Sequence, residues 1–80
     1  MTIQLLTFGI ARDIAGGSSL TVEVPEGSTV ADLKWHLLGL YPRFESLNAL
    51  FIAVNAAYAE DDTLLSGQDE IALIPPVSGG

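Results

Sequence analysis

The sequence predicts an α+β fold in which one main helix packs on a mixed sheet. Three patterns carry this expectation. Ser19–Val24 alternates strictly, with Leu20, Val22 and Val24 on one face and Thr21 and Glu23 on the other. Val30, Leu33, Leu37 and Tyr41 recur at helical spacing and mark one apolar stripe. Short apolar runs at Phe51–Val54 and Glu70–Ile74 have strand length and strand composition. A single amphipathic helix with strands before and after it must bury its stripe on the sheet those strands form.

Taken in order, Thr2–Phe8 is a strand by its β-branched and aromatic content, and Gly9 breaks it. Ala11–Ala15 has room for a short helical turn closed by Gly16-Gly17. Ser19–Val24 is then a half-buried strand, and the short connection back to the first strand predicts an antiparallel hairpin. Pro25-Glu26-Gly27 is a turn. Ser28 or Thr29 caps the main helix, with Asp32 three residues after Thr29 in capping-box spacing. Pro42 ends that helix, placing it over Val30–Leu40. Arg43–Leu50 is loop or a short helical turn. Phe51–Val54 is a buried strand, Asn55-Ala56 a turn and Tyr58 a short return. Glu60-Asp61-Asp62 forms a solvated acidic corner, Leu64-Leu65 turns back toward the core, Ser66–Asp69 is a turn, and Glu70–Ile74 is the last strand. A hairpin, a crossing helix and further strands is the order of the β-grasp fold, of which ubiquitin is the familiar example. The folded domain is expected to span 1–74, with an extended segment over 75–80.

Eighty residues suit one small domain. A chain this short buries only about 60% of its unfolded surface. The 49% hydrophobic content is enough for a dense core. With no cysteine, disulfides, thiolate metal sites and cysteine nucleophiles are excluded. Ten acids against three bases (Arg12, Lys34 and Arg43) give a formal net charge of -7. That charge repels nucleic-acid phosphates and anionic membrane surfaces. It serves solubility, or steers a basic protein partner, and the charge alone does not choose between them. The opening Met1–Leu6 lacks a basic leader and the apolar run Ala49–Val54 is far too short to span a bilayer, so a soluble cytoplasmic protein is expected.

The sequence ends Ile74-Pro75-Pro76-Val77-Ser78-Gly79-Gly80. Pro75 and Pro76 cannot donate to a ladder, so the last strand must stop before them. They favour an extended exit. Six residues reach on the order of 20 Å from the fold. Two glycines without side chains suit a segment that threads a narrow tunnel and delivers its carboxylate into another protein's active site. A frayed terminus without function is the plain alternative. A carboxylate used in this way needs prior activation, for which acyl-adenylate formation with ATP is the usual chemistry.

The stretch Asp69-Glu70-Ile71-Ala72-Leu73-Ile74-Pro75-Pro76-Val77-Ser78-Gly79-Gly80, the segment Ala53-Val54-Asn55 followed by an acidic turn, and the opening Leu5–Gly16 together resemble the small, sulfur-carrier subunits of molybdopterin synthase. The resemblance covers nearly the whole chain. It implies that a ubiquitin-activating-type adenylyltransferase adenylates Gly80 with ATP and that a sulfur donor protein converts the adenylate to a thiocarboxylate. The carrier then docks on the large synthase subunit and gives sulfur to a cyclic pyranopterin monophosphate. On this reading Gly80 is the reactive residue and Gly79 the threading residue. Phe8, Arg12, Tyr58, Ile74, Pro75, Pro76, Val77 and Ser78 form the partner contact, although an aliphatic residue would also be expected at Tyr58. The chain would bind no cofactor or metal, would not be an enzyme on its own, and would join a heterotetramer with a dimer of the large subunit. A sulfur carrier of the thiamine pathway, a ubiquitin-like modifier of lysines and an inert interaction module are the alternatives.

Other residues carry weaker signals. His36, the only histidine, falls off the helical stripe and is expected to face solvent without a catalytic constellation around it. Trp35 projects from the same outer side, either as a contact residue or folded over the rim of the core. The acidic corner lacks a calcium-loop pattern. Ser78 has no base to activate it. Gly9, Gly16 and Gly17 do not make a phosphate loop.

Overall fold

The computed structural model describes residues 1–46 and 51–74. The chain runs β1 (Thr2–Thr7), α1 (Gly9–Ala15), β2 (Ser19–Glu23), α2 (Val30–Leu40), a 3-10 turn (Pro42–Ser46), β3 (Phe51–Val54), β4 (Ala57–Tyr58) and β5 (Ile71–Ile74). The strands form one mixed sheet in the order β2-β1-β5-β3-β4. The β1–β2 hairpin is antiparallel, as are β3–β5 and β3–β4, while β1 and β5 run parallel. A parallel pair needs a crossover, and the intervening chain with α2 provides it. This is the expected α+β, β-grasp arrangement.

One face of the sheet builds the core. Ile3 and Leu5 of β1, Val22 of β2, Ile52 of β3, and Ile71 and Leu73 of β5 are buried there against Val30, Leu33 and Leu37 of α2. Thr7 shares that face. Its buried hydroxyl donates to the Gly17 carbonyl, which removes the cost of an unpaired polar group. α1 closes one end of the core through Ala11 and Ile14 and ends on Gly16, whose φ of +84° is the left-handed cap that glycine adopts without strain.

α2 begins as its sequence dictates. The Thr29 hydroxyl accepts from the Asp32 N–H at 3.3 Å, and the Asp32 carboxylate accepts from the Thr29 N–H at 3.0 Å. Two further amides at this end find partners outside the helix. Val30 N–H donates to the Thr63 carbonyl and Ala31 N–H to the Asp61 carbonyl, both at 3.0 Å. The segment after β4 is thereby fixed across the start of α2, where first-turn N–H groups have no partner within the helix. Ser28 is not the cap. Its hydroxyl donates back to the Pro25 carbonyl at 2.6 Å.

Several boundaries differ from expectation. β1 stops at Thr7, because Phe8 serves as the extended residue that opens α1, and α1 starts earlier, at Gly9. β2 stops at Glu23 and β5 starts at Ile71. Tyr41 lies at the C-cap of α2 and is half-buried, edge-to-face with Phe44 at 5.7 Å between ring centroids. Phe44, within the stretch expected to be loop or helical turn, is a core residue at 2% exposure. His36 is half-buried, not fully solvent-facing. Leu65 enters the core while Leu64 stays exposed, since Leu64 bridges Thr29 in extended geometry that turns successive side chains to opposite sides.

Candidate functional site: the outer sheet face

The strand register sorts the remaining side chains onto the second face of the sheet. Ser19, Leu6, Ala72, Ala53 and Tyr58 are successive partners across the five strands and make one row. Phe51 and Ile74 are partners in the next row. Phe8, one residue beyond the end of β1, continues the alternation of Gln4 and Leu6 on that side in extended geometry. No helix among the described residues covers this face. Leu6, Phe8, Phe51 and Tyr58 are exposed, and Tyr58 retains 71% of its accessible area.

The row is large at its ends and small in its middle. Ala72 and Ala53 make the floor of a shallow groove of about 250 Å³, with Tyr58 and Ile74 on its walls and Ala56 and Glu70 at its edge. Tyr58 is held by Phe51, edge-to-face at 5.7 Å between ring centroids. The hairpin that carries it is also fixed. Asn55 N–H donates to the Glu70 carbonyl at 2.7 Å, Glu70 N–H donates to Asn55 Oδ1 at 3.0 Å, and Asn55 Nδ2 donates to Asp69 Oδ1 at 3.1 Å. These bonds tie the β3–β4 turn to the turn that precedes β5. An uncovered apolar face with a polar edge is the kind of surface that protein partners use, which makes this face the candidate site.

Of the expected contact residues, the structure brings Phe8, Tyr58 and Ile74 to this one face. Arg12 does not line the groove. It is exposed on α1, one helical turn beyond Phe8, beside Asp13, Gly16 and Gly17. Pro75, Pro76, Val77, Ser78, Gly79 and Gly80 lie outside the described residues. The sequence reading missed Leu6, Phe51, Ala53 and Ala72. Their signal was present: Leu5-Leu6 and the unbroken run Phe51–Val54 place apolar residues on both faces of their strands. Phe51–Val54 is therefore not buried throughout, and Phe51 faces outward. Among the described residues no cluster of histidine and carboxylate side chains could hold a metal ion, and no helix is long and apolar enough to cross a membrane.

Comparison with known proteins agrees with this architecture. The ThiS family model matches residues 5–80. The molybdopterin synthase sulfur carrier subunit of Arabidopsis thaliana is 35% identical over 79 residues, covering 98% of this chain and 82% of that protein. Small archaeal modifier protein 1 of Haloferax volcanii superposes with a TM-score of 0.81 at 26% identity, covering 95% of this chain and 98% of that one. A chain in the complex of subunits 1 and 2 of molybdopterin-converting factor from Helicobacter pylori superposes with a TM-score of 0.67 at 25% identity, covering 100% of both.

Proposed function

This chain belongs to the ThiS family, and from that premise we propose that it is the sulfur-carrier subunit of a molybdopterin synthase, with the Gly80 carboxylate as the group that carries sulfur. The observation that carries this reading is the end-to-end similarity to molybdopterin synthase sulfur carrier subunits. The exposed apolar face at the end of β5 supports it, because the six residues Pro75–Gly80 follow directly from that strand. A partner that grips the face would have the chain's end within reach.

The chemistry proceeds in three steps, each in a partner's active site. A Gly80 carboxylate oxygen attacks the α-phosphorus of ATP, and pyrophosphate leaves. The outer sulfur of a donor persulfide then attacks the acyl carbon and AMP leaves; a donor thiol attacks the donor-side sulfur of the resulting acyl disulfide, which forms a disulfide on the donor and releases the acyl group as a thiocarboxylate. That sulfur finally attacks an oxygen-bearing carbon of the cyclic pyranopterin monophosphate and displaces the oxygen substituent, and hydrolysis of the resulting thioester leaves the sulfur on the pterin and returns the Gly80 carboxylate. Two such rounds supply the two sulfurs of a dithiolene. The chain contributes delivery: a tethered nucleophile replaces a diffusing one. Gly79 would leave space for the threaded backbone. Phe8, Tyr58 and Ile74 would seat the domain, and Arg12, apart from the groove, would meet the partner beside α1.

Intact mass measurement tests the reading. After incubation with a cognate activating enzyme, ATP and a sulfur donor, the chain should gain the mass of one oxygen-to-sulfur exchange. Thiol alkylation before that reaction removes nothing from a cysteine-free chain, whereas alkylation after it should consume the new group. Deletion of Gly80 should abolish the gain, which separates it from oxidation of Met1. The likeness to a small archaeal modifier protein favours one second reading, conjugation to lysines of other proteins. Isopeptide remnants of Gly80 on target lysines, without a thiocarboxylate, would select it.

A further inference from the structure

The groove of the outer sheet face is apolar except at one edge. Ile71 and Leu73 of β5 turn into the core, so Glu70, Ala72 and Ile74 alternate with them and turn outward. Glu70 is exposed and lines the groove with Ala53, Ala56, Tyr58, Ala72 and Ile74. Among these described residues it is the only charged one, and the Tyr58 hydroxyl is the only other polar side-chain group.

The place of Glu70 is fixed through its backbone. Its N–H donates to Asn55 Oδ1 at 3.0 Å, and its carbonyl accepts from the Asn55 N–H at 2.7 Å. Asn55 is held in turn, since its Nδ2 donates to Asp69 Oδ1 at 3.1 Å. None of these bonds uses the Glu70 carboxylate. Among the described residues that carboxylate has no ion pair, and none of Arg12, Lys34 and Arg43 lines the groove. Water solvates it while the face is open. A partner seated on the face removes that water. An ionised carboxylate covered by apolar surface opposes binding strongly unless a counter-charge meets it there.

We propose that the groove receives a basic side chain of the large synthase subunit. Its apolar stem lies on Ala53 and Ala72 between Tyr58 and Ile74, and its cation pairs with Glu70. On the reading that the outer face is the docking surface, this pair gives that surface its specificity. The apolar rows supply area, whereas the one carboxylate sets the register and rejects a partner that brings an acid or no charge to that point.

Calorimetry of the full chain with its large subunit tests the pair. Glu70→Gln keeps the shape and both backbone bonds to Asn55 and removes only the charge. It should keep the parent's thermal midpoint and weaken association at least about tenfold. Glu70→Lys should weaken it further, and replacing one surface arginine or lysine of the large subunit with glutamate should restore that binding. Glu26→Gln, in the exposed turn after β2, makes the same change in net charge and should bind as the parent does. Ala72→Lys is the control for the face itself. If Ala72→Lys blocks association and Glu70→Gln does not, the face docks the subunit but water or a neutral donor meets the carboxylate, and the proposal is overturned. An equal loss from Glu26→Gln would report net charge alone and overturns it too. If neither Ala72→Lys nor Glu70→Gln weakens association, the docking surface lies elsewhere and both readings fall together.

Discussion

Ala56 holds a backbone conformation that its side chain disfavours. Asn55 and Ala56 have φ of +53° and +69°, the paired left-handed geometry of a type I′ hairpin turn. Asparagine tolerates it, whereas an alanine there costs on the order of 1 kcal/mol. Ala56→Gly should therefore raise stability by about 0.5–1 kcal/mol, seen as a Tm gain of roughly 2–8 °C in a domain of this size. No gain would mean that the turn relaxes to another geometry in solution. The sequence announced a turn at Asn55-Ala56 but not this strain, because the usual signal, glycine at the second position, is missing. Single-residue choices were the least legible throughout. Ser28 and Thr29 are equivalent as caps on paper, and only the fold shows Ser28 bonded back to Pro25. His36 is off the stripe by helical angle, yet it is half-buried, since periodicity places a side chain around the helix without fixing what packs beside it.

α2 was legible as a whole, because its stripe, its capping box and Pro42 agree. The box gives a sharp test. Thr29→Ala removes the hydroxyl that accepts from the Asp32 N–H and should cost about 1 kcal/mol. Asp32→Ala removes the carboxylate that accepts from the Thr29 N–H and should cost a similar amount. The two bonds share one local geometry, so the double variant should lose less than the sum of the singles by about 0.5 kcal/mol or more. Strict additivity in urea melts would show two independent contacts. The Lys34–Asp61 pair near the same helix is exposed enough that its loss should change stability by less than about 1 kcal/mol. The 3-10 turn was harder to see. Phe44 has no periodic neighbour to mark it as core, and it is buried because Tyr41 and the end of α2 fold over it. Nor does any local pattern state that β1 pairs in parallel with β5. That contact joins opposite ends of the sequence and follows only from the complete fold.

At the scale of the whole molecule, one sheet has a buried face and an open face, and consecutive residues of β5 can tell whether the open one is the docking surface proposed above. Leu73 is fully buried against α2, while its neighbour Ala72 lies on the floor of the outer groove. Leu73→Ala leaves a cavity in the single core and should cost about 2–5 kcal/mol. A domain of this length has only about 4–12 kcal/mol of stability, so that loss should be visible as a large fall in the urea midpoint. Ala72→Lys adds no volume to the core. Its stem can lie along Leu6 and Ile74 with the ammonium in water, and stability should stay within about 0.5 kcal/mol of the parent. Binding should respond in the opposite sense. A lysine in the groove blocks the seat between Tyr58 and Ile74, so association with the large subunit of a molybdopterin synthase, followed by calorimetry, should weaken at least about tenfold. Leu73→Ala, assayed at a temperature where it is still folded, should bind nearly as the parent does. If Ala72→Lys bound normally, the outer face would not be the docking surface and the seat would have to be sought elsewhere, with Arg12 and α1 the next residues to test. If it unfolded instead, the strand register that puts Ala72 outside and Leu73 inside would be wrong.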